Sequence, residues 1–120
     1  KTAATETWTL TVRAGARVEH VKFDALDQGL DALESRATAL ADDAARQPQK
    51  TELKRYSPAD QVVARLELAG PERRLPRRHA GIDVHGDGSS EPYVGRVRRR
   101  RLETDAGEDA RSALRRALTG

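Results

Sequence analysis

Four residues capable of metal binding or proton transfer crowd into HAGIDVHGDGSS, residues 79 to 90: His79, Asp83, His85 and Asp87. Asp83 and His85 are two apart, so in a strand they share a face, and a carboxylate and an imidazole could there reach one metal or share one proton. A metal also needs further ligands and groups to orient them, and none stands out in the chain. Asp87 and Gly88 have a plainer use, because Asp-Gly is a preferred pair for a tight hairpin turn. GDGSS, residues 86 to 90, lacks the lysine and the following helix of a phosphate loop. The serines sit in no nucleophile-elbow context. No cysteine is present, which excludes thiolate catalysis, thiolate metal sites and disulfides. The expectation is a domain without cofactor or enzymatic activity; a small hydrolase or metal enzyme using Asp83 and His85 is the competing chemistry. His20 is expected to be a satisfied side chain.

Guanidinium chemistry is the larger signal. GRVRRRRLET, residues 95 to 104, holds Arg96, Arg98, Arg99, Arg100 and Arg101, and GPERRLPRRHAG, residues 70 to 81, adds Arg73, Arg74, Arg77 and Arg78. The whole chain is only +3 at neutral pH, and residues 71 to 101 carry nine basic against four acidic side chains, so the excess is concentrated there. Arginine outnumbers lysine 18 to 4 in an alanine-rich chain, a bias that codon usage alone can produce, so the distribution carries more weight than the total. Arginine forks match phosphate oxygens, and such contacts position a protein without reading sequence. These nine arginines are therefore expected to contact a nucleic-acid phosphate backbone, RNA included. Only Tyr93 lies near enough to serve as a stacking platform, fewer aromatics than single-strand binders carry, and no helix-turn-helix, RNP or zinc-finger spacing is present. Two other uses fit the same residues. Charge on an edge strand guards against unwanted pairing. An acidic protein surface would also be a partner, including the acidic first helix of a second copy in a homodimer.

These groups must be positioned by the elements around them. TWTLTV, residues 7 to 12, alternates threonine with Trp8, Leu10 and Val12, the period of a strand with one buried face. Ala14 and Gly15 supply a turn into RVEHVKF, residues 17 to 23, a second strand of the same hairpin. From Asp24, placed to cap, Leu26, Leu30, Leu33, Ala37, Leu40, Ala41 and Ala44 recur at helical spacing to about Arg46, and Pro48 stops the helix. Its outer face is acidic, with Asp27, Asp31, Glu34, Asp42 and Asp43. Residues 51 to 56 predict a short strand and 57 to 61 a turn. In QVVARLELAG, residues 61 to 70, Val62, Ala64, Leu66 and Leu68 share one face and Arg65 and Glu67 the other, as in a central strand. IDV restarts a strand at 82. YVGRVRRRRLE, residues 93 to 103, returns antiparallel to it, with Arg96, Arg98 and Arg100 on one side and Arg99 and Arg101 on the other. Asp105 with Glu108 predicts a capping box, followed by Ala110, Ala113, Leu114, Ala117 and Leu118 on one helical stripe.

Each element has one apolar face, and these faces must meet. The prediction is a single α+β domain over residues 1–120, a two-layer sandwich with an antiparallel sheet of about four to six strands and two helices on one face. Its core is thin, since Leu, Ile, Val and Phe together number 22 against 19 alanines. The other sheet face would carry Thr7, Thr9, Thr11, Arg65, Glu67 and some of the late arginines, wet or covered by a partner, beside a flexible basic loop at about 70–81. No apolar run approaches the roughly 18 residues of a membrane span, so no membrane partner and a cytoplasmic location are expected. The order helix, three-stranded meander, closing helix resembles that of double-stranded-RNA-binding domains and ribosome hibernation factors. The resemblance is one of element order: ARSALRRAL carries Arg111, Arg115 and Arg116 where the former have a phosphate-contacting lysine cluster, and the chain opens with an extra strand.

Overall fold

The computed structural model describes residues 7–46, 61–73, 77–95 and 99–120. Strands β1 (Trp8–Ala14) and β2 (Arg17–Phe23) form the first hairpin, which turns at Gly15 with φ +62°, a left-handed conformation that suits glycine. Helix α1 (Leu26–Arg46) follows, then β3 (Val62–Gly70), β4 (Arg78–His85), β5 (Ser90–Val94), the two-residue β6 (Arg100–Arg101) and helix α2 (Ala110–Thr119). The six strands make one antiparallel sheet in the order β2-β1-β3-β4-β5-β6. This is the α+β architecture expected from the periodicities.

Strand alternation sends Trp8, Leu10 and Val12 from β1, Ala64, Leu66 and Leu68 from β3, and Ala80, Ile82 and Val84 from β4 to the same face. Both helices cover it. Leu30 and Leu33 of α1 and Leu114 and Leu118 of α2 are completely buried in that one core. The long fully apolar side chains are few, and alanines at 37, 44, 64, 80 and 113 let the layers approach closely.

Three boundaries differ from expectation. The strand after Tyr93 does not run on through the arginines: β5 ends at Val94, Gly95 turns with φ +101°, and Arg100–Arg101 pairs back onto β5. Strand β4 already begins at Arg78, inside the basic loop expected at about 70–81, with Ala80 and Gly81 in register with Leu68 and Glu67 and Ala80 wholly buried. Helix α2 is capped by Asp109, whose Oδ1 accepts the Ser112 N–H at 2.8 Å, and not by Asp105. Asp105 and Glu108 still bond reciprocally, the Asp105 N–H to Glu108 Oε1 and the Glu108 N–H to the Asp105 carbonyl, both at 2.9 Å. Gly107 between them has φ +78°, which no helical turn contains, so the helix starts beyond it. The predicted strand at 51–56 and nearly all of the turn at 57–61 lie outside the described residues.

Helix α2 is tied to α1 by charge as well as by packing. Arg111 donates to Asp31 Oδ1 at 2.5 Å and Glu34 Oε1 at 2.6 Å, and Arg115 donates to Asp27. The acidic face of α1 is thus engaged by the chain's own arginines. The Arg115 guanidinium beside Asp27 holds its carboxyl below 3.8, its ordinary value. A carboxyl with a depressed folded pKa contributes stability above its unfolded pKa and loses it as pH falls through the folded one. Asp27→Asn is therefore expected to lower Tm modestly at neutral pH, with the gap to wild type closing as pH falls from about 5 to about 2. Thermal melts across that range check the sign; a gap that widens on acidification contradicts it.

Candidate anion-binding cleft

The helix-free face of the sheet is a grid whose rows are set by strand register. One row runs Val18, Arg13, Arg65, Asp83, Glu91 from β2 to β5. The next runs His20, Thr11, Glu67, Gly81, Tyr93 and on to Arg101 of β6. A third runs Lys22, Thr9, Ala69, His79. Small side chains at Thr9, Thr11 and Ala69 leave the middle low while longer ones stand around them. The result is an open cleft of about 1160 Å³, which at one end passes the sheet edge to reach Arg78, Val94 and Ala117 of α2.

Its electrostatics are one-sided. Five guanidiniums line it, Arg13, Arg65, Arg77, Arg78 and Arg99, with His20 and His79, against the single carboxylate Glu67. Arg65 is held in a bidentate pair with Asp83 just outside the cleft, Nε to Oδ1 at 2.6 Å and the second nitrogen to Oδ2 at 2.9 Å. That hydrogen bonding raises the Arg65 pKa further above its ordinary range. Among the described residues Arg13, Arg77, Arg78 and Arg99 make no ion pair, and the buried Arg78 Nε has no hydrogen-bond partner. A buried N–H without an acceptor costs on the order of 1–3 kcal/mol, which an anion in the cleft could relieve.

Polar groups at the base of the cleft are mutually satisfied. Glu67 Oε2 lies 3.0 Å from His79 Nδ1, and Glu67 Oε1 accepts the Tyr93 hydroxyl at 3.2 Å. With Glu67 accepting, the Nδ1 of His79 is the donor of that pair. Tyr93 is only 3% exposed: its ring lies across Gly81, and the Arg65 and Arg99 guanidiniums stand 5.6 and 5.8 Å from its centroid. Burial pushes the phenol pKa well up, so it remains a donor. His20 Nδ1 lies 3.0 Å from Thr11 Oγ1, as expected for a satisfied side chain.

Of the nine arginines singled out in the sequence, Arg77, Arg78 and Arg99 reach the cleft. Arg101 faces the same side, 3.8 Å from Glu91, while Arg100 pairs with Val94 and faces the helix side. Arg73 is exposed just after β3. Arg74, Arg96 and Arg98 lie outside the described residues. The convergence therefore excludes Arg100, because neighbouring residues of β6 point to opposite faces. It also gains Arg13 of β1 and Arg65 of β3. Arg65 was placed on this face by alternation; Arg13 follows the Thr9, Thr11 series and could have been found the same way. His79 joins because β4 begins earlier than expected.

Asp83 is committed to Arg65, and among the described residues the buried His85 Nδ1 has no partner. Among the described residues no group of three His, Asp or Glu side chains could hold a metal. Also among them, no helix is long and apolar enough to cross a membrane. No protein-family model, curated protein or solved structure matches this chain.

Proposed function

We propose that this is a non-enzymatic binding domain that holds a nucleic-acid phosphate backbone against the helix-free face of its sheet. The observation that carries it is the convergence of five arginines on one cleft with a single carboxylate, four of them without an ion pair among the described residues. Guanidinium forks suit phosphate oxygens, and a rigid strand framework holds Arg13, Arg65 and Arg78 in place before the ligand arrives. An acidic protein is the competing polyanion. Its simplest version, the α1 face of a second copy, has less to support it, because Arg111 and Arg115 already occupy Asp27, Asp31 and Glu34.

Salt dependence tests the proposal. Four phosphate contacts give a slope of log affinity on log salt near −3 to −4, so affinity for a labelled oligonucleotide is expected to fall roughly 100-fold between 50 and 200 mM salt. Fluorescence anisotropy measures it. Absence of binding at the lowest salt, or a flat salt response, removes the proposal.

A further inference from the structure

We infer that the cleft recognises the phosphate chain itself and not the bases attached to it, so that inorganic polyphosphate and nucleic acid compete for the same site. This deepens the phosphate-backbone reading and rests on it. Reading a base takes an aromatic face to stack on, or acceptors and donors set for base edges. Neither is on offer among the described residues. Trp8 is buried in the core on the opposite face, and Phe23 packs against that core. Tyr93 is sealed, with its hydroxyl committed to Glu67. The carboxylates are committed too: both Glu67 oxygens to His79 and Tyr93, both Asp83 oxygens to Arg65.

The side chains that line the cleft without an ion pair among the described residues include the guanidiniums of Arg13, Arg77, Arg78 and Arg99, each a donor with no acceptor atom. A donor-only surface complements a ligand whose accessible atoms are all acceptors, which describes phosphate oxygens and not base edges. The dimensions call for a chain. Arg13 on β1 and Arg99 beside the Tyr93 ring of β5 are three strand spacings apart, roughly 14 Å, too far for one phosphate to bridge. The volume of about 1160 Å³ exceeds that of an ordinary small-molecule pocket.

The test displaces a labelled mixed-sequence single-stranded DNA from the full chain at low salt. Inorganic polyphosphate with a matched number of phosphates should compete within about 3-fold of unlabelled DNA, and oligo-dA and oligo-dT should agree within about 3-fold, because backbone contacts ignore the base. Orthophosphate at the same total phosphate should displace nothing. Three results overturn the inference while leaving nucleic-acid binding intact: polyphosphate that fails to compete, homopolymers that differ by about 10-fold or more, or orthophosphate that competes as well as the chain. If neither DNA nor polyphosphate binds, the parent proposal falls with it.

Discussion

Gly81→Ala is expected to lower stability by about 3 kcal/mol, a fall in Tm of roughly 10 °C, from a single added methyl group. A Cβ at position 81 would sit 1.9 Å from the Leu66 carbonyl oxygen, 2.8 Å from the Tyr93 hydroxyl and 2.9 Å from the Glu67 Cα. Two of those three atoms are backbone of the neighbouring central strand, so rotating a side chain cannot relieve the clash. The Tyr93 ring fills the space above this glycine, which is how its hydroxyl crosses β4 to reach Glu67 on β3. The substitution should therefore also release Tyr93 and unsettle the Glu67–His79 pair at the base of the cleft. Gly29→Ala provides the comparison. There the new Cβ meets Leu68 methyl carbons at 3.0 and 3.2 Å, atoms at the end of a flexible side chain, and alanine gains about 1 kcal/mol of helix propensity. Its net effect should be small. Thermal denaturation of the two variants, with near-ultraviolet circular dichroism to follow Tyr93, checks the contrast; a Gly81→Ala protein within about 1 kcal/mol of wild type would sink it.

Replacing Arg13, Arg77, Arg78 and Arg99 together by glutamine is expected to reduce oligonucleotide affinity at 50 mM salt by at least about 100-fold and to bring the salt slope close to zero. None of the four makes an ion pair among the described residues, so Tm should scarcely change and lost binding would not reflect unfolding. Arg100→Gln is the control. It removes one charge, as each single cleft substitution does, from beside Arg99 but on the helix side of the sheet, and should leave the affinity within about 2-fold of wild type. If Arg100→Gln weakens binding as much as one of the cleft substitutions does, net charge rather than the cleft governs the interaction.

Local periodicity determined most of the architecture before any contact was known. The alternation in TWTLTV and QVVARLELAG placed Trp8, Leu10, Val12, Ala64, Leu66 and Leu68 on the buried face and Thr9, Thr11, Arg65 and Glu67 on the other, and the structure has them there, whereas Val62, expected with Ala64, is exposed beyond a shift of register. Helix α1 follows the leucine spacing to the predicted Arg46. Side-chain direction in a strand or helix is a property of neighbours one to four residues apart, and such neighbours are written side by side in the chain.

Tertiary structure alone decided which cations meet. Nothing near Arg99 in the chain announces that Gly95 will turn, that the chain will return along β5, or that Arg99 will stand over Tyr93 while Arg100 faces away. Arg13 comes to the same cleft from a strand more than sixty residues earlier than Arg77, because β3 pairs with β1 on one side and β4 on the other. The α1 acids, which the sequence left open as a surface for another copy, are claimed by Arg111 and Arg115 only once α2 lies beside α1. Register between strands and contact between helices are long-range choices, set by how the whole core packs, and a one-dimensional pattern records each face without recording what lies against it.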